Sequence, residues 1–103
     1  MKHVANLLGF AQRAGKLASG ETAVTVALRR RHGYLVILAE DAAHHTQHKV
    51  KRLANQYDVP VEHIGSKSWL GQVIGTSKRS SIVVTDAQFA KSIRHALREQ
   101  YLR

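Results

Sequence analysis

Apolar residues along this chain switch between helical spacing and short continuous runs, and residues 20–41 contain both patterns. Residues 20–22 are typical of a helix start, and residues 34–39 have the uninterrupted apolar character of a buried central strand. The helix between them is expected to reach about His32, with Arg29, Arg30 and Arg31 in its last turn. This segment predicts a basic helix leading into the core of a small α/β protein.

The rest of the chain repeats the alternation. Residues 61–64 and 82–84 are expected strands, and residues 16–19 are extended at most. Four further helices are predicted by their ends: from Val4 to near Gly15, a third that stops before residues 58–60, a short fourth capped by Ser66 or Ser68 and ending at Gly75, and a last one capped by Thr85 or Asp86. Alternating helices and strands predict an α-β-α sandwich.

Composition favours a nucleic-acid partner. The 103 residues fit one domain, and 16 Lys and Arg against 7 Asp and Glu give a formal net charge of +9 and a pI of about 10.5. The absence of cysteine excludes disulfides, thiolate metal sites and thiol nucleophiles. Because neither a secretory segment nor a membrane span is visible, we expect a cytoplasmic protein without a membrane partner.

Few residues could carry chemistry. His44 and His48 lie one helical turn apart, with His45 beside them, but a polar helix start explains the cluster better than a metal site does. Glu40 and Asp41 follow the central strand, where ligand sites of open α/β sheets tend to lie, yet acids at a helix start are the preferred explanation. Neither a nucleophile elbow nor a phosphate-binding glycine loop occurs. We therefore expect no catalytic residue, no metal and no cofactor.

Two segments are better suited to nucleic acid. The helix start at 19–22 and the polar, basic loop at 76–81 can both present amides, hydroxyls and cations to a bent RNA backbone. The three arginines at 29–31 fan out by about 100° per residue, so they form a broad basic end, which helix-dipole stabilisation or phosphate contact explains equally well. Aromatic stacking is not expected, because Trp69 and Phe89 fit apolar faces and Tyr34 begins the buried strand.

Five strings occur in a fixed order along almost the whole chain: LLGFAQRAGKL at 7–17, SGE at 19–21, LVILAEDA at 35–42, VPV at 59–61, and LG at 70–71 with a glycine at 75. Their order and separations closely resemble the bacterial YlxQ-like branch of the L-seven-Ae ribosomal-protein superfamily. The resemblance implies an α/β fold, a three-layer α-β-α sandwich around a four-stranded mixed sheet. It also implies that residues 1–103 are a single, non-catalytic RNA-binding domain of this type, which recognises kink-turn or similarly bent RNA and is linked to ribosomes or translation.

The resemblance also implies where RNA is held. The corresponding positions lie at the start of the second helix, near its end, before the short helix and in the loop after it: Gly20, Glu21, Thr22, Arg30, Lys67, Ser77, Lys78 and the adjacent Arg79. The chain departs from the family pattern at Thr22 and Ala23, where kink-turn binders resemble one another in an Asn-Glu pair that recognises tandem G·A pairs. Val26 replaces a further lysine.

The partner class follows from charge and resemblance together. We expect structured RNA, with ribosomal RNA as one candidate, and a protein that is monomeric when free. Loss of the Asn-Glu pair leaves an alternative, an assembly or processing module acting mainly through a ribosomal or RNA-processing protein. A third alternative is a fragment of an RNA methyltransferase, in which the same fold binds substrate.

Overall fold

The computed structural model describes residues 1–101, in which five helices alternate with four strands. The elements are, in chain order, α1 (Lys2–Arg13), β1 (Leu17–Ser19), α2 (Glu21–Arg29), β2 (Leu35–Leu38), α3 (His44–Gln56), β3 (Val61–His63), α4 (Lys67–Ile74), β4 (Ser81–Val84) and α5 (Ala87–Tyr101). Every helix and strand expected from the sequence is present, and residues 17–19, expected to be extended at most, form an edge strand. No helix among these residues has the length and apolar content that a membrane crossing requires.

The four strands form one mixed sheet in the order β1-β4-β2-β3. Strands β2 and β3 are parallel, with Val36 opposite Val61, whereas β4 is antiparallel to both β1 and β2. Strands β1, β2 and β3 therefore point the same way, and their last residues lie at the same edge as Ser81, the first residue of β4. We call this the carboxyl edge of the sheet.

Side chains on the two faces of the sheet enter two separate cores. Leu35 and Ile37 of β2, with Ile82 and Val84 of β4, pack against α1, α4 and α5. The alternate residues, which include Val36 and Leu38 of β2, pack against α2 and α3. Because both faces of β2 and β4 are covered, these strands are buried at every position and consist almost entirely of apolar residues. The predicted three-layer α-β-α sandwich around a four-stranded mixed sheet is confirmed.

The junction between α2 and β2 differs from the sequence-based expectation. Helix α2 ends at Arg29 rather than near His32, with Arg30 as its C-cap, and Arg31 has a left-handed φ of 59°. The helix ends in a backbone motif in which Arg31 N donates to Leu28 O at 3.0 Å and His32 N donates to Ala27 O at 2.9 Å. The Arg31 guanidinium lies 5.2 Å from the centre of the Tyr57 ring. Tyr34 is 48% exposed, so its prediction as the first buried strand residue was wrong. Its N–H donates to Val84 O at 2.8 Å, while β2 itself begins at Leu35.

Side-chain caps define the starts of α4 and α5. Ser66 caps α4, because its Oγ accepts from Trp69 N at 3.0 Å, and Asp86 caps α5 by accepting from Phe89 N at 2.8 Å. Asp41 also lies at a helix start, as the preferred explanation of this acid required. The helix is α4, however, because Asp41 Oδ1 accepts from Lys67 N at 2.8 Å, 26 residues along the chain.

Candidate nucleic-acid interface

Three segments that are distant in sequence meet at the carboxyl edge: the start of α2, the start of α4, and the loop of residues 76–80 between α4 and β4. Gly20 N donates to Ser81 O at 3.0 Å, which joins the start of α2 to β4. Arg79 N donates to Lys67 O at 3.1 Å, which joins the loop to α4. Sheet order makes this possible, since β1 and β2, which lead into Gly20 and Asp41, both flank β4.

The side chain of Arg79 ties these segments together. Its Nε donates at 3.1 Å to the Oγ of Ser19, the residue directly before Gly20 in the sequence. Its Nη1 lies 2.9 Å from Ser77 Oγ, 3.3 Å from Ser77 O and 3.1 Å from Lys78 O. The half-buried guanidinium therefore folds the loop around itself, and the neighbouring Ser77 and Lys78 side chains are left exposed. Arg79 thus acts by positioning the loop, in addition to contributing its charge.

Gly71 on α4 lets the loop pack directly against the helix. A Cβ at this position would overlap the carbonyl oxygen of Ser77 and lie 2.7 Å from the Ser77 carbonyl carbon. Thr76 N donates to Gly71 O at 2.7 Å, and Thr76 Oγ1 donates to Ser77 O at 2.9 Å. Sequence reasoning missed this role, although a glycine inside a predicted helix was a signal of close backbone approach.

The start of α2 is open to solvent and requires glycine. Gly20 has φ 95° and ψ 152°, a backbone conformation that residues with a Cβ adopt only with strain. Within residues 1–101, no atom outside Gly20 and its two chain neighbours lies within 4 Å of the position that a Cβ would occupy, so a ligand can approach the backbone here. Thr22 is exposed in the first turn. Glu21 Oε1 lies 3.9 Å from Lys49 Nζ, which places this carboxylate on the α3 side of α2.

Arg30 lies apart from the other sequence-predicted site residues. It is ten residues beyond Gly20, about 15 Å along the axis of α2. A shallow groove between α2 and the edge strand β1 reaches it, with Ala23, Val26 and Arg30 in its lining. Val26 is 41% exposed, so the middle of this surface is apolar where the family pattern has a lysine. Gly20, Thr22, Lys67, Ser77, Lys78 and Arg79 are thus gathered at the carboxyl edge, and Arg30 lies at the far end of α2.

His44, His45 and His48 are all exposed on the first turns of α3. Among residues 1–101, no three His, Asp or Glu side chains are grouped so that they could hold a metal ion.

Comparison with known proteins identifies the family. The model of the ribosomal protein L7Ae/L30e/S12e/Gadd45 family matches residues 2–94. The chain belongs to this family. Within the family it is similar to the RNA-binding protein YlxQ of Bacillus subtilis (strain 168), with 41% identity over 87 residues, 84% of this chain and 87% of the relative. It is 35% identical to the RNA-binding protein YlxQ of Enterococcus faecium over 92 residues, 89% of this chain and 88% of that one.

A solved structure supports the same placement. A protein from Bacillus halodurans C matches with a TM-score of 0.86 and 37% sequence identity, covering 89% of this chain and 93% of that protein. The predicted membership of the YlxQ-like branch of the L7Ae family is therefore confirmed. The prediction that the protein is not an enzyme is confirmed as well, because its relatives in this family are named as RNA-binding proteins.

Proposed function

We propose that residues 1–103 form a single, non-catalytic RNA-binding domain that recognises a kink-turn or similarly bent structured RNA. The protein would act in the cytoplasm, in association with the ribosome or translation, and ribosomal RNA is the first candidate ligand. Relatives that share most of its length are named RNA-binding proteins, and its own net charge is +9. Both observations favour RNA over a protein partner alone.

The convergence at the carboxyl edge carries the proposal. Lys67, Lys78 and Arg79 supply three cations from two segments, and the Arg79 guanidinium fixes the loop against Ser19 and hence beside the start of α2. Within the described residues no side chain caps the start of α2, and its first-turn amides favour an anion, as helix N-termini do generally. A sharply bent RNA brings phosphates of both its arms close together. Cations from two segments that meet at one edge of the sheet can contact both arms.

The departures from the family pattern suggest how the RNA is recognised. Thr22 and Ala23 replace the pair that contacts tandem G·A pairs, and Val26 replaces a lysine. A hydroxyl and two apolar side chains can pack against a bent RNA, but they offer no carboxylate or amide to base edges. We propose that the shape of the bend and the phosphate positions contribute more to recognition here than base-specific hydrogen bonds do.

A binding titration tests the function. The probes are a kink-turn RNA, the same RNA with its G·A pairs disrupted, and a plain duplex, each at several salt concentrations. We expect the kink-turn RNA to bind best, because disrupting the G·A pairs also removes the bend. Equal affinity for all three would contradict recognition of bent RNA. Complexes with a ribosomal protein that survive nuclease treatment, together with that result, would support the assembly-module alternative.

A pair of arginine variants tests the place of the interface. Arg30→Gln should weaken binding of the kink-turn RNA by about three- to tenfold, the loss typical of one exposed phosphate contact. Arg31→Gln is the matched control, because it removes the same charge from the next residue, whose guanidinium is turned to Tyr57. If the two variants lose affinity equally, the contribution of Arg30 is general charge and not a contact.

A further inference from the structure

A second basic surface lies away from the carboxyl edge. A groove of about 600 Å³ runs between α1 and α5. Its lining includes His3, Tyr34, Lys91, Arg94, His95 and Arg98. Tyr34 precedes β2 and α5 follows β4, so this end of the groove lies at the opposite edge of the sheet from Asp41 and Ser81. Neither the family pattern nor the interface described above includes these side chains.

The groove has the charge of an anion-binding site. Lys91, Arg94 and Arg98 lie on one side of α5, and the two arginines are one turn apart, so they can contact the same stretch of a polyanion. Among residues 1–101, none of the three forms an ion pair, and Glu99 Oε1 lies 3.0 Å from His95 Nε2 instead. Within the same residues Arg94 Nε is buried and has no hydrogen-bond acceptor.

An aromatic ring lies in the lining of this basic groove. Tyr34 is 48% exposed, although its backbone is fixed by a 2.8 Å hydrogen bond to Val84 O beside the core strands. A solvent-facing ring on a fixed backbone position beside cations is a combination that binds single-stranded nucleic acid, since the cations follow the phosphates and a base stacks on the ring. An acidic peptide would use the cations, but its carboxylate side chains offer no flat base to stack on the ring.

We propose that the groove between α1 and α5 binds a single-stranded RNA segment, with phosphates on Lys91, Arg94 and Arg98 and a base stacked on Tyr34. The site is distinct from the carboxyl edge. A strand that flanks the bent RNA would therefore reach a second surface of the same molecule, and the protein would favour structured RNA with an unpaired extension over a blunt-ended one.

The test compares three probes: a blunt kink-turn RNA, the same RNA with an oligouridine extension of about ten nucleotides at either end, and the isolated oligouridine. We expect the extension at one end to raise affinity about tenfold. Lys91→Gln/Arg98→Gln, two exposed positions, should abolish this gain and leave binding of the blunt RNA unchanged. Tyr34→Ala should reduce the gain, and Tyr34→Phe should keep it.

Matched controls separate a site from general charge. Lys51→Gln/Arg52→Gln removes the same two charges from exposed positions on α3 and should keep the gain. The proposal is wrong if both double variants lose the affinity gain equally. It is also wrong if oligoglutamate displaces bound oligouridine as effectively as further oligouridine does. Oligouridine should shift the backbone NMR signals of Tyr34 and α5 and leave those of residues 77–79 unmoved. This arm needs no kink-turn, so the groove can fail or succeed independently of the function proposed for the carboxyl edge.

Discussion

Arg79 combines a positive charge with a planar set of hydrogen-bond donors, a combination that only arginine has. Its guanidinium carries a charge at the interface, and its planar fork donates to Ser19, Ser77 and the Lys78 carbonyl at the same time. Lys78 next to it is exposed, and its side chain forms no hydrogen bond within the described residues. The two adjacent cations thus have different tasks: one shapes the loop, and the other is free to contact a ligand.

This difference predicts that two charge-conserving changes will affect RNA affinity to different extents. Arg79→Lys should weaken binding of the kink-turn RNA by about tenfold, because an ammonium cannot reproduce hydrogen bonds to three partners and the loop would lose its shape. Lys78→Arg should change affinity by less than about twofold, because the positive charge is kept and the Lys78 side chain has no hydrogen bonds within residues 1–101 to lose. Titration at a single salt concentration measures both. Equal losses would mean that Arg79 contributes only charge.

At the scale of elements, α4 and the loop after it form one unit. The absence of a Cβ at Gly71 lets the loop backbone pack directly on α4, so Gly71→Ala should force the Ser77 backbone away from the helix. We expect a loss of about 1–3 kcal/mol in the free energy of unfolding, as in other overpacked sites, together with weaker RNA binding. Urea denaturation measures the first effect.

Gly9 is the matched control for this change, because it too lies within a helix. The nearest atoms to a Cβ at Gly9 are 3.8 Å away, an ordinary contact. Gly9→Ala should therefore leave stability unchanged or raise it by up to about 1 kcal/mol, since alanine has the higher helix propensity. If Gly71→Ala costs no more stability than Gly9→Ala, the loop can move away from the helix without loss, and close packing at Gly71 does not position it.

The elements that sequence patterns predicted well are those with local signals. Continuous apolar runs predicted β2 and β4, and Ser66 and Gly75 marked both ends of α4. The end of α2 was placed too late, because arginine favours helices, whereas Arg31 adopts a left-handed φ and the amides of Arg31 and His32 donate back to Leu28 O and Ala27 O. Asp41 caps a helix that is distant in sequence. Such a tertiary contact leaves no local pattern.

The candidate interface was predictable only in pieces. The start of α2 and the basic loop stood out by residue type, but their proximity depends on the strand order β1-β4-β2-β3, which no local pattern specifies. The resemblance to the family supplied Lys67 and Arg30. The roles of Gly71 and Ser19 emerge only from distances to the loop, and Tyr34 was hidden inside an apolar run that predicted burial.

At the scale of the whole molecule, the question is whether the charge of +9 acts as a diffuse cloud or through defined contacts. The slope of log affinity against log salt counts the phosphates that are neutralised, at roughly −0.9 per contact in a duplex and −0.7 in a single strand. Four cations, at positions 30, 67, 78 and 79, give an expected slope between about −3 and −4 for a blunt kink-turn RNA. Three more in the α1–α5 groove add about −2 for an extended RNA.

Single neutralisations distinguish the two cases. Lys78→Gln should reduce the magnitude of the slope by about 1 for both RNAs, because one phosphate contact is lost at the shared interface. Lys51→Gln, which removes the same charge from α3, should change the slope by much less than 1, since a charge that makes no contact acts only through a screened long-range attraction. A slope near −8 in the unmodified protein, or equal changes in the two variants, would mean that RNA samples the entire basic surface. Defined contacts would instead change the slope by about one unit for each contacting cation that is neutralised. For blunt RNA only Arg30 and the cations at the carboxyl edge should have this effect, and for extended RNA those of the α1–α5 groove should have it as well. That result requires the protein to hold its ligand in one orientation.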